Sequence, residues 1–171
     1  DWALKTACAA AAQWPGRVRV AVNVSPAQFG NPAFSSVVAQ ALATSELAPD
    51  RLELELTESI FLADDQSNDA MFAALKMLGV RLALDDFGTG YSSLGYLQKA
   101  PFDKVKIDQT FITGINEPGN RNAAIIKAIV GLAEGLGHPR VCPSSRGGAR
   151  GHLLRTSHCL RQSDRPRRRP I

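Results

Sequence analysis

The segment "LALDDFGTGYSSLGYL", residues 82 to 97, sets Asp85 and Asp86 side by side at the end of an apolar run, just ahead of Gly88 and Gly90. Neighbouring carboxylates repel each other, and a divalent cation beside them removes the conflict. The pair therefore reads as ligands for a hard, oxygen-preferring metal, with Mg2+ or Mn2+ the natural choice. Asn23 offers a neutral carbonyl oxygen and Glu55 a further carboxylate, each near the end of its own strand-like segment, so the set is oxygen-only and unlike a zinc site. Plainer readings stand beside these: a strand-end Asn forms turns, Glu55 pairs with a lysine, one Asp caps a helix, and Lys106 forms an ion pair with Asp108 or Glu55. A dinucleotide-binding loop fits less well, because two anions ahead of the glycines would repel a pyrophosphate.

Holding such a set together requires several strand ends along one edge of a sheet. "RVRVAVNVS" carries Val18, Val20, Val22 and Val24 at alternate positions, and the same period of two recurs in "RLELELTES", "RLALDD" and "DKVKID". Strands are expected near residues 17–24, 51–57, 80–85 and 103–108. Helix-like segments fall between them: "NPAFSSVVAQALATSEL", "DDQSNDAMFAALKMLG" with Gly79 as its stop, and a short "YSSLGYLQ". This alternation, at about 30 residues per unit, is the βαβ signature of a parallel sheet, open or closed into a barrel. The out-of-phase strand positions include Asn23, Glu53, Glu55, Asp85, Lys104, Lys106 and Asp108, whereas a parallel sheet covered on both faces reads as continuous apolar runs. Barrels build their sites at the carboxyl ends of their strands, which gives the charged face a use. The stripe Ile125, Ile126, Ile129, Val130 and Leu132 reads as the core face of a further helix.

Composition sets the outer limits. The 171 residues are 44% hydrophobic, enough for a core, and no apolar run approaches the about 18 residues of a membrane span. Charge divides the chain, since residues 1–137 hold 11 Lys+Arg and 15 Asp+Glu while 138–171 hold 9 Arg, no Lys and the single acid Asp164. A folded domain over 1–137 and an Arg-rich, disordered tail over 138–171 are therefore expected. Arginines in such a tail attract nucleic-acid phosphates without specificity. Cys8, Cys142 and Cys159 lack any CxxC spacing, which argues against a zinc knuckle and against a disulfide framework. With no leading signal peptide, a cytoplasmic setting is expected.

The segments "NVSPAQF", "LELELTES", "DDFGTGYSSL" and "VKIDQTFI", in this order, resemble the EAL-domain family of cyclic di-GMP phosphodiesterases over roughly residues 1 to 136. The resemblance implies an α/β fold, a partial TIM-like (β/α) barrel lacking its first and last strands, and hydrolysis of cyclic di-GMP to pGpG by a two-metal mechanism. By this likeness Asn23, Glu55 and Asp85 bind one metal, Asp85 and Asp86 share a second, and Lys106 stands near the attacking water. Glu58 matches the glutamate that steadies the loop after the aspartates, a loop that in the family contributes to homodimer contacts. The family's Glu-Ala-Leu segment is expected upstream of "DWALKT", where the chain begins without Met. After "AIIKAIVGLAEGLG" the family continues into an EGVE-like segment, whose glutamate acts as general base, and a QGY-like segment. Here "HPRVCPSSRGGARGHLLRTSHCL" stands instead and resembles text in a shifted reading frame. The expectation is a cyclic di-GMP phosphodiesterase domain with little activity alone, the alternative being a non-catalytic cyclic di-GMP-signalling or partner-binding fragment.

Overall fold

Alternating valines and leucines become the apolar side of a parallel sheet. The computed structural model describes residues 1–16, 18–62, 65–88, 95, 98, 100–113, 121–136 and 141–144. Its strands are β1 (Val20–Val24), β2 (Leu52–Thr57), β3 (Arg81–Phe87), β4 (Lys104–Ile107) and β5 (Val141–Pro143), hydrogen-bonded in that order and parallel throughout. Helices α1 (Trp2–Ala12), α2 (Pro26–Phe29), α3 (Phe34–Ser45), α4 (Asp65–Leu78), α5 (Gln109–Ile112) and α6 (Asn122–Gly135), with two 3-10 turns, Pro49–Arg51 and Glu58–Leu62, complete the described elements. Among the described residues the sheet is open, with β1 and β5 at its edges. Among the described residues, no helix is long and apolar enough to cross a membrane.

The two sheet faces differ as the strand parity requires. Leu52, Leu54, Leu56, Leu82, Leu84 and Val105 are buried in one cluster with Leu4, Ala7, Cys8 and Ala11 of α1, Val38 and Leu42 of α3, and Phe72 and Leu75 of α4. Phe72 lies 4.9 Å from Phe29 and 5.5 Å from Phe102, ring centre to ring centre, closing the cluster with tilted and edge-on contacts. Helix α4 stops where Gly79 takes a φ of +84°, open to glycine at little cost. Asp103 then ties three elements, accepting from Lys76 Nζ of α4 and from the Leu82 backbone N–H at 2.9 Å, just before β4. On the opposite face Glu53, Glu55, Lys104 and Lys106 are buried, and a buried charge needs a partner. Lys104 pairs with Glu53, and Lys106 with Glu55.

Three expectations change. Strand β5 lies beyond Gly137, where the folded part was expected to end, and pairs Lys106 with Cys142 and Ile107 with Pro143. The compositional switch to Arg misled, because a three-residue strand needs only backbone groups and one buried side chain, here Cys142. Second, helix α6 forms, but its stripe is half covered: Ile125 is exposed, and of the helix only Ala133 is buried. Third, Cys142 of β5 is disulfide-bonded, while Cys8 is free and buried. The expected helix "YSSLGYLQ" lies outside the described residues apart from Gly95 and Gln98, and so does residue 145 onward of the expected tail.

Candidate functional site

Parallel pairing carries four strand ends to one edge. Asn23 is in register with Glu55, Glu55 with Ala83, and Thr57 with Asp85, so the first two carbonyl-bearing side chains share a face of the sheet. Asn23 is exposed at the end of β1, whereas Glu55 and Lys106 are buried.

The two aspartates are brought together by an irregularity. Leu84 pairs with Val105 and Phe87 with Ile107, so β3 spends two residues, Asp85 and Asp86, where β4 spends one, Lys106. That is a β-bulge. In a regular strand successive side chains point to opposite faces, and Asp86 would enter the apolar core. Instead Asp86 adopts a φ of +54°, a left-handed conformation that Asp tolerates better than most residues. Both carboxylates then reach one point, because the Ser144 hydroxyl lies 2.8 Å from Asp85 Oδ1 and 3.1 Å from Asp86 Oδ1. Phe87 returns to the core, 5% exposed, which a bulge-free strand would not allow.

Lys106 Nζ lies 2.9 Å from Glu55 Oε2 and 2.8 Å from Asp85 Oδ2. Burial pulls the ammonium down, but its contacts with Glu55 and Asp85 outweigh burial and hold its pKa above the ordinary lysine value. Burial pushes the Glu55 carboxyl above its ordinary value, against the pull of Lys106. Lys106 thus remains charged, and its one positive charge is shared between two acids.

The remaining expected residues hold the surrounding chain. Glu58 opens the 3-10 turn Glu58–Leu62 and accepts from the Gly88 N–H at 2.8 Å, bridging the ends of β2 and β3. Gly88 has a φ of +101°, and a Cβ there would meet Phe111 Cε2 at 2.6 Å. Asp108 caps α5, accepting from the Thr110 N–H at 2.8 Å. The loop expected to make dimer contacts, residues 89–94, lies outside the described residues. Ser144 was missed from sequence. Little in the sequence signalled it, since β5 is only three residues long, starts farther after β4 than any earlier strand after its predecessor, and lies in basic text.

The donor set suits a hard divalent cation in chemistry: three carboxylates and one amide oxygen, with no nitrogen or sulfur ligand. Among the described residues, no three His, Cys, Asp or Glu side chains converge closely enough to hold a metal ion unaided. The carboxylates converge in twos instead, Glu55 with Asp85 on Lys106 Nζ, and Asp85 with Asp86 on Ser144 Oγ.

Comparison with known proteins places this arrangement. The model of the EAL domain matches residues 1–143. An uncharacterized signaling protein of Caulobacter vibrioides is 50% identical over 141 residues, 82% of this chain but 17% of the relative. The solved complex of the PaMucR phosphodiesterase with c-di-GMP superimposes with a TM-score of 0.75 at 37% identity, covering 82% of this chain and 61% of that one. The manganese and cy-diGMP complex of Klebsiella pneumoniae BlrP1 does so with a TM-score of 0.72 at 31% identity, covering 82% of this chain and 36% of that one. The chain therefore spans less than two thirds of these relatives, and over most of its own length it belongs to the EAL domain family.

Proposed function

We propose that the chain is part of a cyclic di-GMP phosphodiesterase domain, contributing the carboxylates and the lysine of a metal-assisted hydrolytic site. The observation that carries this reading is the bulge at Asp85 and Asp86, which turns two adjacent carboxylates to one point beside Lys106. The c-di-GMP bound to the PaMucR phosphodiesterase and the manganese in BlrP1 support the choice of substrate and of cation class. Asn23, Glu55, Asp85 and Asp86 would hold divalent cations, with Mg2+ or Mn2+ as the candidates. When bound, such cations lower the pKa of a water and stabilise a leaving oxygen. Lys106 supplies a fixed positive charge that opposes the negative charge developing on the phosphoryl group. Glu58 holds the backbone after the aspartates through Gly88, and Asp108 holds the start of α5. The net reaction adds one water across one phosphodiester bond of cyclic di-GMP and yields pGpG.

We place the site in a cytoplasmic protein, with the loop after Asp86 as a homodimer contact. For this chain alone turnover is expected to be slow, because the text after α6 offers no match for the family's basic glutamate, and loss of a positioned base costs about 10²- to 10⁴-fold. A second reading, a module that binds cyclic di-GMP or a partner without turnover, is favoured by the text after α6, which offers no match for the family's general-base glutamate. Incubating the purified chain with cyclic di-GMP and Mg2+ or Mn2+, beside Asp85→Asn, separates the two. Metal-dependent pGpG that D85N abolishes supports the hydrolytic reading; binding of cyclic di-GMP with no product at any metal concentration supports the second.

A further inference from the structure

Ser144 sits beyond the expected end of the domain, yet it touches both aspartates. Its backbone N–H donates to the Ile107 carbonyl at 2.6 Å, and the preceding residues Cys142 and Pro143 pair with Lys106 and Ile107. The strand is thus docked by backbone groups, and the hydroxyl is left over for another task. At 1% exposure no bulk water competes for it. Its oxygen lies 2.8 Å from Asp85 Oδ1 and 3.1 Å from Asp86 Oδ1, while Asp85 Oδ1 also accepts the Asp86 N–H at 2.9 Å.

We infer that Ser144 is a positioning residue for the Asp85–Asp86 pair, holding the two carboxylates on one side of the bulge so that a divalent cation meets them already aligned. The physical need is specific. Asp86 occupies a left-handed backbone position next to a like charge, and both features favour its side chain swinging away. A hydroxyl within hydrogen-bond reach of both acids, donating its one proton to either of them or shared between them, opposes that swing, and being neutral and small it leaves their negative charge available to a cation. Partners that orient ligating carboxylates in this way typically account for about 10- to 100-fold in metal affinity. The inference rests on the proposed cation role of the aspartates. It also makes β5 and Ser144, which lie beyond Gly137, part of the site.

The test is a Mn2+ binding isotherm on the full chain, by calorimetry or from the free Mn2+ signal in magnetic resonance, with unfolding curves run in parallel. Wild type, Asp85→Asn, Ser144→Ala, Ser144→Gly and Ser144→Thr are compared without substrate. Expected are binding in the wild type that D85N abolishes, about 10- to 100-fold weaker binding in S144A and S144G at near-unchanged stability, and recovery to within a few-fold in S144T. If one deletion variant fails to fold, the other carries the comparison. Affinity in the folded deletion variants within twofold of wild type, with D85N still abolishing binding, overturns the role of Ser144 alone. Equal Mn2+ binding by wild type and D85N overturns the cation reading itself, and the inference with it.

Discussion

Replacing Lys106 with Met removes one ammonium and leaves two acids facing each other. The side chains of Lys106, Glu55 and Asp85 are 6%, 10% and 13% exposed, so water screens the loss poorly. At separations of 2.9 and 2.8 Å and an effective dielectric constant of about 20, each opposite-charge contact is worth about 6 kcal/mol of attraction. Desolvation takes back several kcal/mol for each ion, and the intact cluster is near balance. Deleting one member keeps the cost and loses the gain, so K106M is expected to lose about 3–5 kcal/mol of folding stability. A divalent cation can replace the missing charge. Mn2+ at about 100 times its dissociation constant for K106M should return about 2.7 kcal/mol to that variant, and at the same Mn2+ concentration wild type should gain less, because its ammonium repels the incoming ion. Urea unfolding followed by circular dichroism, with and without Mn2+, measures both quantities. A loss below about 1 kcal/mol would refute the burial argument, and equal Mn2+ stabilisation of the two proteins would refute the proposed overlap of lysine and cation.

Three further outcomes follow from other parts of the fold. Gly88→Ala combines a φ of +101° with a contact of 2.6 Å to Phe111, and should cost about 1–3 kcal/mol for the backbone and about 1–3 more for overpacking; in a Phe111→Ala background only the backbone share should remain, and a cycle with no coupling would remove Phe111 from the explanation. Lys104→Met should cost about 3–5 kcal/mol by stranding Glu53, whereas Glu53→Leu with Lys104→Met should be close to neutral, and a double variant no better than the single one would show that the pair is not an isolated unit. Burial raises the Cys8 thiol from 9.0 to about 11 and leaves it 0% exposed, so it stays a protonated thiol at pH 8 and should label with a thiol reagent only on unfolding; peptide mapping that finds Cys8 modified in the native chain would contradict its place in the core.

Much of the framework was legible because parallel strands announce themselves by parity. Val20, Val22 and Val24, then Leu52, Leu54 and Leu56, became the apolar side of adjacent strands, and the charged parity became the opposite face. The Lys106 to Glu55 ion pair, held open from sequence as a plain alternative to a site, is present. Less legible was anything set by backbone alone. Strand β5 has one buried side chain within its three residues, so hydrophobic period could not reveal it among arginines. Helix α6 has the apolar period of a core helix, yet period reports only that a face exists, and burial depends on what packs against it.

The bulge lies between these cases, and its trace is in the sequence. Along "RLALDDF" the apolar parity runs through Leu82 and Leu84 and then resumes at Phe87, one residue late. A strand that must keep Phe87 on the core face with Ile107 has to absorb one extra residue, and the register absorbs it between Leu84 and Phe87. Two adjacent carboxylates are what a chain can place there without sending an acid into the core, because the bulge frees the second of them from strict alternation. The same device fixes the chemistry. Without the extra residue, Asp85 would face Lys106 alone and Asp86 would point into the leucine layer, whereas with it both acids meet Ser144 at the strand ends. Like charges stand side by side here because a bulge makes two neighbours in sequence into two neighbours on one face.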